Sequence, residues 1–242
     1  MILATLILKL FFYSSFVGYA LGSIPFGLLI GRINGIDIRE HGSGNIGATN
    51  VARVVGKGWG VVALLMDGLK GLGPVLIVPL MFADSPKQHI QVAAGISAAL
   101  GHMFPVWLKF RGGKGVATAL GVVLVLSHSY WVVLAALGAF LLSFAIWKIV
   151  SVSSMLAVVA YGIAQIVSLS PQPFSSDKWS LAAFSIAIPL LIIYRHRSNI
   201  VRLLRGEEPR FKDKAKGKSD VEGRADGDLA GTDGSDDEDG AR

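Results

Sequence analysis

Cysteine is absent from the chain, so a thiol nucleophile, a disulfide scaffold and a Cys-type metal site are excluded. Charge is scarce as well: Asp, Glu, Lys and Arg make up 17% of the residues, against about 25% in soluble domains. Acidic side chains are rarer still in the first 195 residues, which hold 5 of them beside 13 basic ones. Neither H-E-x-x-H nor a cluster of carboxylates occurs in that stretch, which argues against zinc-hydrolase and paired-carboxylate glycosidase chemistry. What replaces charge is apolar surface: 52% of the 242 residues are hydrophobic and mean hydropathy is +0.55. An ordinary soluble enzyme and a disordered chain are excluded with it. The net charge of +6 hides a division. Residues 196–218 carry 8 basic and 3 acidic groups, whereas the last 24 residues carry 2 and 9.

The apolar body divides into uncharged runs of the length needed to cross a bilayer, about 20 residues of helix. The runs are Leu10–Gly31, Gly58–Ala83 (interrupted by Asp67 and Lys70), Gln88–Leu108, Gly115–Trp147, Ile149–Ser170 and Trp179–Tyr194. Gly115–Trp147 is 33 residues long, about 50 Å as one helix, and Ser127-His128-Ser129 sits near its middle. It reads as two short helices. The expectation is therefore an all-α, polytopic membrane bundle of about seven transmembrane helices, with the first run retained rather than cleaved as a secretory signal. An outside N-terminus and a cytoplasmic C-terminus put Arg32–Lys57, Lys109–Lys114, Lys148 and the basic 195–218 segment inside. Treating 115–147 as one helix would place that basic segment outside, against the positive-inside rule. Two regions follow: a membrane-embedded domain over 1–208 and a charged cytoplasmic tail over 209–242, disordered by composition.

Three polar islands remain on the inside. The first runs from His41 to Asn50 and on to Arg53 and Lys57. Its glycines let backbone N–H groups approach a ligand, Ser43, Asn45, Thr49 and Asn50 offer hydrogen bonds, and Arg53 offers a planar cationic fork suited to phosphate. Gly42, Gly44 and Gly47 fit G-x-G-x-x-G, but membrane spans rather than a βαβ unit flank them, so a dinucleotide site is excluded. Glycine-rich nests bind anions without that fold; a plain soluble interhelical loop stands beside this reading. The second island, Phe110 to Gly115, sets three glycines around Arg111 and Lys114. It is not a Walker A loop, because Gly115 stands where Ser or Thr belongs. Orientation alone would explain its charges, although not Gly-Gly-Lys-Gly. The third island, Arg195 to Glu208, has His196, Asn199 and Arg202 at every third position, along nearly one helix face. A polybasic helix lying on anionic lipid is its plainer reading. Asp67 and Lys70 pair as a structural unit, His102 and His128 are hydrogen-bonded structural groups rather than metal ligands, and His89 lies at the outer interface.

Together these segments resemble one family. Ser43-Gly44-Asn45-Ile46-Gly47-Ala48-Thr49-Asn50 with Arg53, Gly101-His102-x-Phe104-Pro105 through Gly112-Gly113-Lys114-Gly115, and His196-Arg197-x-Asn199-Ile200-x-Arg202-Leu203 with Gly206 and Glu208 occur in the order found in the bacterial acyl-phosphate:glycerol-3-phosphate acyltransferases. The resemblance covers about residues 5–208. Lys148 through Ser154 is similar to the family's short interhelical loop, with Lys148 in place of a more usual Arg and Ser153 in place of a more usual Gly. The acidic tail has no counterpart.

The resemblance implies transfer of a fatty acyl group from acyl phosphate to glycerol 3-phosphate, giving lysophosphatidic acid and phosphate. It places this first acylation of phospholipid synthesis at the cytoplasmic face of the bacterial plasma membrane. It implies Ser43, Arg53, Lys114, His196 and Asn199 as catalytic residues, with Asn199 on a phosphate or the carbonyl oxygen. Gly44, Asn45, Gly47, Thr49, Asn50, Gly112, Gly113, Gly115, Ser151, Ser154, Arg202 and Glu208 are implied to bind substrate. The expected partners are those two substrates and membrane lipid, with functional coupling to the soluble enzyme that makes acyl phosphate; no cofactor, metal or nucleic acid is expected. None of the five histidines has Asp five positions on (Ile46, Ala94, Trp107, Val133 and Val201 stand there), so the H-x-x-x-x-D dyad of the other large acyltransferase class is absent. Two other classes stay open at this point. A transporter for an anionic solute would use the islands as its inner gate and Asp67/Lys70 at mid-depth. A lipid-anchored scaffold would use the tail to recruit a partner.

Overall fold

The computed structural model describes residues 2–82, 87–127 and 129–211; His128, Asp84 and the tail from residue 212 lie outside the described residues. The described residues are helical, with no strand among them. Ten α-helices follow one another: α1 (Ile2–Gly22), α2 (Phe26–Ile33), α3 (Ala48–Val54), α4 (Lys57–Met81), α5 (Lys87–Met103), α6 (Val116–Leu126), α7 (Tyr130–Trp147), α8 (Val150–Ser168), α9 (Trp179–Arg195) and α10 (Arg197–Leu204). Among the described residues, five segments are long and apolar enough to cross a membrane: Thr5–Ile33, Lys57–Met81, Lys87–Leu108, Tyr130–Trp147 and Val150–Ser168. The α9–α10 pair, bent by 55°, makes a sixth only when its two helices are counted as one span. The 11-residue α6 is about 16 Å long. The split of 115–147 into two helices is as the sequence suggested: α6 ends at Leu126 and α7 begins at Tyr130.

The first run differs from expectation. Helix starts at Ile2, well before Leu10, and is interrupted at Ser23-Ile24-Pro25. Proline lacks an N–H and disfavours helical geometry in the residue before it, so the ladder opens there. Carbonyls exposed by a break at membrane depth need donors. Trp107 donates its indole N–H to the Ser23 carbonyl at 2.7 Å, and Lys70 donates to the Ile24 carbonyl at 2.7 Å. A similar repair serves α4, where Pro79 cannot bond the Val75 carbonyl four residues back. Gln91 on α5 donates its amide N–H to that carbonyl at 3.1 Å.

Small residues set the helix–helix contacts, as expected where lipid competes for apolar surface. Gly18 and Gly22 on α1 lie on the backbone of Ala94 and Ala98 on α5, so closely that a Cβ at either glycine would stand 2.2 Å from the opposing carbonyl oxygen. Gly71 and Gly121 join α4 to α6 in the same manner. The outward faces are apolar: of the 18 residues of α7, only Val132, Ala136 and Ser143 are buried. At one end of the bundle, Ser127 bonds Gln165, and the imidazole of His89 sits 2.6 Å from the Ser180 hydroxyl. The three glycine- and cation-bearing segments gather at the other end.

Candidate active site

Asn50 organises the first loop. Its carboxamide oxygen accepts from the Ser43 N–H at 2.8 Å, and its amide donates to the carbonyls of Ile38 at 2.9 Å and His41 at 3.1 Å. Every reach of this buried side chain is turned onto the loop backbone. Gly42 and Gly44 adopt φ of 62° and 67°, and a Cβ on Gly42 would meet the Asn50 oxygen at 2.3 Å. Asn45 accepts from the Gly47 N–H at 2.8 Å in a local turn. Of the expected site residues here, Asn45 and Asn50 therefore shape the loop, whereas Ser43, Gly44 and Thr49 are exposed and Gly47 and Arg53 half-buried. Arg53 ends α3 within electrostatic reach of Lys114.

The second loop folds back on the end of α5. The N–H of Gly112 donates to the Met103 carbonyl at 3.1 Å, and that of Gly113 to the His102 carbonyl at 3.0 Å. From the opposite side the Arg195 guanidinium donates to the carbonyls of Gly112 at 2.7 Å and Gly113 at 3.0 Å, with its plane over the Phe104 ring at 5.0 Å. Gly115 leaves the loop at φ 84° and opens α6. Gly112, Gly113 and Gly115 are buried and Lys114 half-buried. Burial pushes the Lys114 ammonium down to about 8; Glu208 opposes that, and Arg202, Arg53 and Arg195 add to it. An anion arriving among these four cations would relieve their mutual repulsion.

The third island begins at the bend between α9 and α10. His196 is 2% exposed, and its Nδ1 donates to the Ile192 carbonyl at 2.8 Å. Burial, then the neighbouring Lys114, push its pKa down to about 4, so the ring is neutral at pH 7 with its lone pair on Nε2. One helical turn on, Asn199 donates to Glu208 Oε1, which also accepts from the Ser151 hydroxyl at 2.7 Å. Arg202 Nε donates to Glu208 Oε2 at 2.7 Å. Burial alone would raise the Glu208 pKa; the bonds from Ser151, Asn199 and Arg202 outweigh it and hold the carboxyl below its ordinary value. Glu208 thus ties α8 to α10. Because a carboxylate only accepts, the Asn199 amide must face it, which leaves Asn199 Oδ1 buried and without a partner. Ser154 is buried beside this network on α8. Phe211 closes the segment, donating its N–H to the Lys148 carbonyl at 2.8 Å and packing edge-on against Phe144.

The three islands thus meet through Arg53, Lys114, His196, Arg202 and Glu208. Arg195 escaped the sequence reading. It stood at the head of the third island with no role assigned to it, and its position immediately before His196 was the available signal. Among the described residues no three His, Cys, Asp or Glu side chains are grouped to hold a metal ion. Asp67 and Lys70 form a 2.8 Å ion pair, both side chains 3% exposed, as the sequence suggested.

Residues 12–206 match the family model described as glycerol-3-phosphate acyltransferase. The chain is 46% identical over 196 residues to a glycerol-3-phosphate acyltransferase of Myxococcus xanthus, covering 81% of this chain and 96% of the relative. It is 45% identical over 205 residues to one of Paramagnetospirillum magneticum, covering 84% and 94%. Two crystal structures of PlsY (YgiH), an integral membrane glycerol 3-phosphate acyltransferase, resemble the fold. The glycerol 3-phosphate form has a TM-score of 0.73 at 41% identity, and the lysophosphatidic acid form 0.71 at 40%; each covers 83% of this chain and 94% of that structure.

Proposed function

The chain belongs to the glycerol-3-phosphate acyltransferase family, and from that premise we propose that it transfers the acyl group of an acyl phosphate to glycerol 3-phosphate at the cytoplasmic face of the bacterial plasma membrane. The carrying observation is the recessed glycine loop at Lys114, with Arg53, Arg195 and Arg202 within electrostatic reach at the end of an apolar bundle. Two phosphate-bearing substrates, one with a lipid tail, need a cationic pocket that opens beside lipid-facing helices. The missing H-x-x-x-x-D dyad speaks against an acyl thioester donor, which would need a histidine base oriented by Asp.

In the proposed reaction the glycerol hydroxyl oxygen attacks the carbonyl carbon of the acyl phosphate. The bond from that carbon to the phosphate oxygen breaks, and its electron pair leaves with the phosphate, which takes up the hydroxyl proton. Lys114 and Arg53 stabilise charge as it gathers on the leaving group, usually the largest catalytic contribution. Ser43, Thr49 and the backbone around Gly44 and Gly47 hold the acyl-phosphate headgroup, with Ser43 binding rather than forming a covalent intermediate. Asn199 has its amide committed to Glu208, so its free oxygen suits a hydroxyl donor on glycerol better than a phosphate oxygen. His196 offers Nε2 as a second acceptor for that hydroxyl. Ser151, Arg202 and Glu208 hold Asn199 in place, and Ser154 packs beside them. Seven crossings put the N-terminus outside and the islands inside, and this chemistry does not require the charged residues beyond 211.

The transporter reading gains the α1–α2 break, yet Lys70 and Trp107 already occupy its carbonyls, which leaves no open ion site there. Purified protein given palmitoyl phosphate and labelled glycerol 3-phosphate is expected to form lysophosphatidic acid, and to form none when acyl-CoA replaces the acyl phosphate. Turnover with acyl-CoA alone would overturn the donor assignment. A Ser43→Ala enzyme is expected to lose affinity for acyl phosphate, and an acyl-serine trapped on the native enzyme would refute its binding role.

A further inference from the structure

A column of buried polar groups runs from the break in the first span to the loop that carries Lys114. Lys70 holds the Ile24 carbonyl at the break and pairs with Asp67. Asp67 Oδ1 stands 3.5 Å from His102 Nδ1, and that imidazole is 4% exposed. The other edge of the ring lies against Gly113: a Cβ built on Gly113 would be 2.1 Å from His102 Nε2. On its far side Gly113 is bonded by Arg195. The loop backbone is therefore gripped between an imidazole and a guanidinium, one residue before Lys114. Charged groups at membrane depth are costly and usually mark a function, and pairing with each other does not explain why a histidine stands on top of them.

We propose that His102, backed by Asp67 and Lys70, is a positioning residue: its imidazole is the seat on which Gly113 rests, and it sets where the Lys114 ammonium meets phosphate. This rests on the reading of Lys114 as a phosphate-binding cation. Gly112 supplies a control inside the same loop. A Cβ there would strike the His102 carbonyl oxygen at 2.1 Å and the ring of Pro105 at 2.5 Å, obstacles that no change to the His102 side chain removes.

The test is second-site rescue, read as kcat/KM with acyl phosphate and glycerol 3-phosphate, alongside melting temperatures of the detergent-purified proteins. Gly113→Ala displaces the loop by the width of a methyl group, and a loss of about 100-fold is expected for such a misplacement. His102→Ala loses the seat but leaves Arg195 and the backbone bonds, so a loss of about tenfold is expected, larger than its melting temperature accounts for. In the double variant the new methyl enters the space left by the imidazole, and activity returns to the level of His102→Ala alone. Gly112→Ala gains nothing from His102→Ala. Should His102→Ala not fold, His102→Ser clears the same space while keeping a polar atom toward Asp67. Losses that multiply in the Gly113 double variant, or an equal rescue of Gly112→Ala, would overturn the seat. A native enzyme that forms no product from acyl phosphate would instead overturn the functional reading, and the two failures are distinguishable.

Discussion

At the scale of single residues, the candidate site gathers cations that repel one another in the absence of an anion. Lys114 shows this most directly. Burial brings its pKa to about 8, so the free enzyme carries the charge below that pH and loses it above. The expected outcome is a kcat/KM that falls as pH rises through about 8, while kcat, which reports the complex with phosphate bound, holds its value further into the alkaline range. A Lys114→Met enzyme is expected to lose about 100-fold and to lack that alkaline limb; a limb that survives the substitution belongs to another group. His196 is also pushed down, to about 4, so it is neutral throughout this range and contributes no step to the profile above pH 6. The residue types of the site were legible because Gly-Gly-Lys-Gly and His-x-x-Asn-x-x-Arg put small, cationic and amide groups together along the chain. Their division of labour was not. Asn50 and Asn45 look like ligands in a list of polar side chains, yet their hydrogen bonds fold the loop, and only coordinates reveal where an amide is already occupied.

At the scale of helices, contact is governed by backbone approach. Gly22→Val would drive a branched side chain into the Ala98 carbonyl, 2.2 Å from the position of its Cβ. Overpacking of this kind costs about 1–3 kcal/mol, and backbone on the far side leaves little room to relax. A lower melting temperature in detergent is expected, whereas valine at Gly138, which has nothing within 4 Å, should leave it unchanged. An equal drop at both positions would deny the α1–α5 interface its special tightness. The division of 115–147 into two helices followed from hydropathy and from the length of a bilayer crossing. The break at Ser23–Pro25 did not, although Pro25 was in view. A proline inside an apolar run kinks, ends or is absorbed by a helix according to what donors stand nearby, and α4 absorbs Pro74 and Pro79 where the first span opens.

At the scale of the whole molecule, orientation is the consequence most open to direct measurement, and the lack of any cysteine makes the native chain its own background. Ser129→Cys and Ser176→Cys are expected to react with a membrane-impermeant maleimide on intact cells, and Ser198→Cys only after permeabilisation. Protection of Ser129→Cys on intact cells would mean that α6 does not cross. The sequence by itself determined which segments are apolar enough to leave water and between which of them the cations fall. Transfer of a side chain into hydrocarbon, and the bias of Lys and Arg toward one side, are local properties that sum along the chain. Only the tertiary structure decided that Arg195 clamps Gly112 and Gly113, that Glu208 binds Ser151, Asn199 and Arg202, and that Lys70 repairs the break at Ile24. These partners lie up to 83 positions apart. In a medium that offers no water to complete a hydrogen bond, a polar group depends on the partners that packing brings near it, and distance along the chain does not say which those are.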